Sequence, residues 1–217
     1  MKTKVISDIH LTHRFDEKKN AYLEKVISDA DFIIINGDFW DYYETTFDKF
    51  VKSKYKDTIF PLLKSKNARY HFGNHDMEKW CDERINLFCT SSGYEYKIKA
   101  GKYTLHIEHG NRLAPSAEER HPWILNRFTG RLATLFWDTT MLILRRNALK
   151  MYEHDNTKIK AWIKENFKEN EILVCGHVHV PEFNLKQQYI NHGMIRSGYG
   201  QYLVVDGDKI EFIDEKY

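Results

Sequence analysis

The chain of 217 residues is 42% hydrophobic and 14% aromatic, and its 33 Lys and Arg against 31 Asp and Glu leave a net charge of +2. That length fits a single domain, residues 1–217, with a substantial core, and that composition excludes a disordered or low-complexity chain. The small net charge and the lack of an interleaved basic-aromatic groove argue against nucleic acid as the partner.

Three cysteines, Cys81, Cys89 and Cys175, make neither an even disulfide framework nor a C-x-x-C metal pair. Reduced thiols and a start that runs straight into Val5-Ile6, with no room for a signal peptide, give the expectation of a cytoplasmic protein.

Taken in chain order, apolar runs that read as buried strands lie at residues 4–7, 32–35, 69–72, 103–108 and 172–175, with helical-length segments between most of them. Such alternation predicts an α/β layered sheet whose ligands gather at the carboxyl ends of the strands. Each run delivers a motif there: Asp8-Ile9-His10, Gly37-Asp38-Phe39-Trp40-Asp41, Gly73-Asn74-His75-Asp76, His109-Gly110 and Gly176-His177-Val178-His179. Beyond them, turn signals at Asn191-His192-Gly193 and Asp206-Gly207-Asp208 set off extended segments at 201–205 and 209–213. These predict a terminal meander or hairpin that completes a second sheet.

Imidazole and carboxylate are the ligands that Mn, Fe and Zn prefer, and the five motifs supply enough of them for two adjacent ions. Asp8-x-His10 alone is weak in a chain with 11 histidines, whereas the glycine-anchored motifs are more specific. The ordered set of five carries the reading. His106 and His71 fall within strands and His13, His121, His154 and His192 lack ligand spacing, so each reads as a surface or core residue, with cleft lining a secondary reading for His13 and His192, which lie near motifs.

This set resembles the signature of the calcineurin-like metallophosphoesterase superfamily from Asp8 to His179. The resemblance implies a four-layered α/β/β/α sandwich. It also implies two divalent ions, Mn foremost with Fe and Zn as the others, one held by Asp8, His10, Asp38 and His179. Asp38, Asn74, His109 and His177 would hold the second, with Asp38 bridging. His75, paired with Asp41, would act as general acid or transition-state stabiliser. Because no ligand is missing, the set argues for an enzyme over a binding module.

Residues 111–152 read as a helical insertion that the metal chemistry does not need. Ile124, Phe128, Leu132, Leu135 and Phe136 fall on one helical face and Arg127, Arg131 and Asp138 on another, with a second helix expected from about Thr140. Between Asn111 and Lys150 seven basic and three acidic residues give +4, leaving −2 for the remainder. Basic charge beside apolar helices fits a lid that meets an anionic amphiphile or a headgroup plane, hence peripheral contact at the inner face of a membrane. The plainer alternative is a hairpin packed on the domain, or a dimer interface. As a lid, it would let Asn111, Arg112, Arg120, Asn126, Arg127 and Arg131 contact phosphate oxygens.

Within the superfamily the chain is similar to the bacterial UDP-2,3-diacylglucosamine pyrophosphatase group of lipid A synthesis. That similarity rests on Gly37 to Asp41, the apolar insertion after His109-Gly110, and Gly176-His177-Val178-His179-Val180-Pro181 followed by Tyr189 to Gly193. The chain departs from the best-known branch at His75, where that branch has arginine, and at Asn111, where Asp is common. The substrate so implied is a phosphorylated small molecule or lipid-linked diphosphate. The alternative is a general nucleotide phosphodiesterase or nuclease of the same superfamily.

Overall fold

The computed structural model describes residues 1–121 and 126–217. Two mixed sheets pack face to face. The first holds β1 (Lys2–Ile6), β2 (Phe32–Asn36), β3 (Arg69–His71) and β4 (Ser91–Gly93), which run parallel in that order. The second runs β5 (Glu95–Ala100), β6 (Tyr103–Glu108), β7 (Glu171–Cys175), then β8 (Glu182–Asn184) outside β9 (Tyr189–Asn191), with β6, β7 and β9 parallel. The terminal strands β10 (Ile195–Arg196), β11 (Tyr199–Asp206) and β12 (Lys209–Lys216) pair antiparallel.

The expected terminal hairpin is present, but it joins the first sheet, with β11 antiparallel to β1, and does not complete the second. Pattern alone could not choose between sheets, because β11 is buried along nearly its whole length and so carries no one-faced alternation.

The central strands are apolar on both faces because both are covered. In β2, Ile34 packs between the sheets with Val5, Ile107 and Val174, while Ile33 and Ile35 turn to the helices on the outer face. The same alternation in β7 sends Ile172 and Val174 inward and Leu173 and Cys175 outward.

Helices α1 (Glu17–Ser28), α2 (Phe47–Val51) and α3 (Ile59–Ser65) cover the first sheet; α1 starts where the Asp16 side chain accepts the Lys19 N–H at 3.0 Å. A short α4 (Ala117–Arg120) and a long α5 (Arg127–Leu144) follow β6, and α6 (Glu153–Asn166) covers the second sheet through Ile159 and Ile163. The result is the α/β/β/α sandwich.

The insertion differs from expectation. No second helix begins at Thr140: α5 runs on to Leu144 and breaks at Arg145, whose φ of 52° is left-handed, before a 3-10 segment from Arg145 to Tyr152. Gly130, Thr134, Trp137 and Met141 turn toward the domain, and Met141 packs with Ala148, Leu149, Met194 and Tyr199. Several other apolar side chains point the other way, Phe128 being 71% and Leu142 80% exposed. Ile124, expected on that face, lies outside the described residues.

A candidate metal centre at the strand ends

Every metal-ligand candidate stands just past the carboxyl end of a parallel strand: Asp8 and His10 after β1, Asp38 after β2, Asn74 after β3, His109 after β6, His177 and His179 after β7. The chain leaves each strand sharply. Asp8, His10, Asp38, His177 and His179 all have left-handed φ between 50° and 60°, a conformation that costs a non-glycine residue about 1–3 kcal/mol and collects at functional sites. Close packing enforces the turns. Gly37 itself has φ of 84°, and a Cβ there would strike the His109 ring; one on Gly176 would strike Ser7 and Asp8.

Three groups of side chains converge within 4.8 Å: Asp8 with His10 and His179, His10 with Asp38 and His75, and Asp38 with His109 and His177. Asp38 belongs to two of them. Its Oδ2 lies 3.7 Å from His10 Nε2 and 3.4 Å from His109 Nε2, and Asn74 Oδ1 lies 3.1 Å from the same His109 nitrogen.

The far nitrogens of the rings are held by outer partners. His109 Nδ1 donates to the Asn36 carbonyl at 2.8 Å, His177 Nε2 to the Ala114 carbonyl at 2.7 Å, and His10 Nδ1 meets Asp41 Oδ2 at 3.1 Å. This is the outer support that metal-ligating imidazoles receive. His10 Nε2 is buried and, among the described residues, has no hydrogen-bond partner, an omission that a cation would repair.

Charge in the cluster points the same way. Burial tends to raise the Asp38 carboxyl, yet His109 and His75 outweigh it and hold it well below the carboxylate range; His179 and His109 do the same for Asp8. His109 differs: burial pulls it down, but Asp38 and Asp8 carry it up to about 10, so a cation bound there would have to displace its Nε2 proton. Burial keeps His10 neutral, at about 3, and His177 at about 4, the form that ligates a cation. The donor set therefore fits two divalent ions of the Mn, Fe or Zn type.

His75 and Asp41 stand beside this cluster. His75 Nδ1 is 3.2 Å from Asp41 Oδ2, and its side chain is 20% exposed against 3% for His10, so it borders the cavity above the cluster. Asp41 serves two rings, since the same oxygen meets His10. Asp76 has a role that sequence reading did not assign. Fully buried, it accepts the backbone N–H of Asp38 at 3.0 Å, of Phe39 at 2.7 Å and of Gly73 at 2.7 Å, tying two motif loops together. Burial and the nearby Asp38 push its carboxyl up to about 6.

Of the six residues expected to meet phosphate, Arg120 alone lines the cavity. Asn111 donates to Glu119, and Arg112 is drawn outward by Glu108 at 3.2 Å and by the Trp162 ring. Asn126 is used as the N-cap of α5, accepting from Phe128 and Thr129. Arg127 lies over Tyr42, and Arg131 is exposed on α5. Helical spacing located the arginines on the insertion but not the angle at which α5 would dock. His192 is buried against Asn36 and His13 sits against Thr45, so neither borders the cavity. Tyr43, Trp137, Tyr152 and Arg196 border it instead; Trp137 packs edge-on to His179 with centroids 5.1 Å apart.

Imidazoles and carboxylates gathered at the ends of parallel strands in a four-layered sandwich define a metal-dependent phosphohydrolase. The chain belongs to the calcineurin-like phosphoesterase family, whose family model matches residues 1–181. No curated protein matches it. Solved structures similar to it include Yfce, a phosphoesterase from E. coli, at 16% identity and a TM-score of 0.54 over 98% of this chain and 92% of that one. A second is Vps29 from Entamoeba histolytica complexed with zinc, at 15% identity and a TM-score of 0.47 over 99% of each chain. A third is a conserved protein of Streptococcus pneumoniae TIGR4, at 18% identity and 0.45 over 100% of this chain and 92% of that one. At such identities the likeness to Yfce speaks for the fold alone, and the other two carry no argument.

Proposed function

We propose that this phosphoesterase hydrolyses a phosphodiester or diphosphate bond in an amphiphilic substrate of the UDP-linked acylated-sugar kind. The observation that carries the proposal is the cavity of about 490 Å³ above the metal-ligand cluster, where Tyr43, Ala133, Trp137, Tyr152 and Val178 give an apolar wall beside His75 and Arg120. An acyl chain or hydrophobic leaving group fits there with its phosphate at the strand ends.

Asp8, His10, Asp38 and His179 would hold one ion, and Asp38, Asn74, His109 and His177 the other. When bound, such a pair supplies a nucleophile from water and neutralises phosphoryl charge. The chain supplies the rest. His75, oriented by Asp41, delivers a proton to the leaving oxygen or steadies its charge. Arg120 offers a fork to a non-bridging oxygen.

The outer face of α5 supports contact with an anionic lipid surface: Phe128, Leu135, Phe136 and Leu142 are exposed, with Arg127 and Arg131 nearby. Among the described residues, no helix is long and apolar enough to cross a membrane.

The test is hydrolysis by Mn-loaded protein of bis-p-nitrophenyl phosphate, a UDP-linked acylated sugar and single-stranded DNA, with flotation on vesicles containing anionic lipid. Preference for the acylated sugar and co-flotation are expected. Preference for DNA, or for bis-p-nitrophenyl phosphate over the acylated sugar without vesicle binding, would favour the general phosphodiesterase or nuclease and overturn the amphiphile.

A further inference from the structure

Two cavities meet at the cluster, each of about 490 Å³. The first is the apolar one under α5. The second opens on the other side of His10 and carries both signs of charge, Arg14, Lys18 and Lys19 facing Asp16, Asp41, Glu44 and Asp138. His10, Thr134 and Arg196 border both.

Arg196 is the cation at that junction. It ends β10, and the turn that follows, Ser197-Gly198 with φ of 55° and 78°, has the two left-handed residues of a tight hairpin turn matched to sheet twist. The residue is therefore held by the sheet and not by a loop. Its side chain is 11% exposed, and among the described residues its one hydrogen-bond partner is Asp138 Oδ1 of α5, at 2.9 Å. A guanidinium has five donors, and among the described residues the bond to Asp138 uses one of them, on a residue that borders both cavities. Asp138 is 53% exposed, and so exposed a partner holds an arginine weakly. A phosphate oxygen, bound in fork geometry, competes well with it.

We propose that Arg196 is a positioning residue that grips a second anionic group, next to the phosphoryl group seated at the cluster. It would thereby select substrates with two charged groups and two unlike arms, one apolar and one polar. This rests on the reading of the cluster as a site for a phosphodiester or diphosphate, and it assigns the polar arm to the second cavity.

The test measures, by calorimetry on Mn-loaded protein, the affinity for inorganic pyrophosphate against inorganic phosphate in wild type, R196A, R196K and D138A. Wild type is expected to prefer pyrophosphate by roughly ten-fold, the worth of a charge-assisted hydrogen bond. R196A should lose that preference, R196K should recover part of it, and D138A should keep it. No preference in wild type, or the same preference in R196A, overturns the proposal. So does an equal loss in D138A, which would make Arg196 only a tie to α5. Turnover of bis-p-nitrophenyl phosphate by wild type separates the two claims: its absence counts against the reading of the cluster, while the calorimetry still decides Arg196.

Discussion

The strand ends and helix α5 face the same cavity but are held in place differently. At the strand ends, buried carboxylates and imidazoles meet at distances near 3 Å, left-handed turns are enforced by neighbours, and Asp76 ties two loops by three backbone hydrogen bonds. Helix α5 turns Trp137 and Met141 inward, leaves Phe128, Phe136 and Leu142 in solvent, and is tied by Asp138 to Arg196, with Arg146 to Asp214 at 2.6 Å just beyond it. One region is over-determined and the other is adjustable. A hydrolase needs the first for chemistry, whereas accommodation of a bulky substrate is served by the second.

The contrast breaks most severely at Asp38. Asp38→Asn should remove the shared ligand and lower turnover on the order of a thousand-fold, with bound metal falling alongside, as measured by elemental analysis. His75→Ala should leave metal content intact while turnover drops by about a hundred- to ten-thousand-fold; unchanged turnover would remove His75 from the mechanism. Asp76→Ala leaves three backbone N–H groups without their acceptor and should cost about 3 kcal/mol in urea unfolding.

An effect of comparable size comes with pH. Burial holds His71 at about 3 and His192 at about 4, both depressed below the unfolded histidine value. The unfolded chain therefore takes up their protons first as pH falls. This stability is complete above about pH 6.5 and is lost progressively toward pH 3–4, by about 2 kcal/mol per residue at pH 5. Urea midpoints at pH 7.5 and pH 5 check this, and His71→Gln should flatten the profile.

Smallest of all, Arg146→Ala should change stability by less than about 1 kcal/mol, because its ion pair is partly exposed. A larger loss would mean that α5 is no looser than the strand ends.

The same contrast decides what was legible in the sequence. The strands around Ile34 and Val174 and the motifs they deliver are local: an apolar run, a glycine turn and a ligand lie within a few residues. Asp76 was visible in its motif, but its bonds run to residues 37 and 38 positions away, which spacing cannot reveal. Arg196 carried no signal, since it reaches the site only because β10 pairs with β11 and β11 joins the first sheet. In the insertion, amphipathic spacing tells which side chains share a face, not which face meets the domain. There the side that carries Gly130, Trp137 and Met141 goes inward, with Gly130 fitting against Tyr43, where a Cβ would sit 2.9 Å from Tyr43 Cβ.

The most direct measurement is a titration of chelator-stripped protein with Mn, following bound metal and turnover of bis-p-nitrophenyl phosphate together. Two equivalents should bind per chain, with turnover absent in the stripped protein and restored as the second equivalent binds. Full turnover without metal, or saturation at one equivalent with full activity, would contradict the dinuclear site.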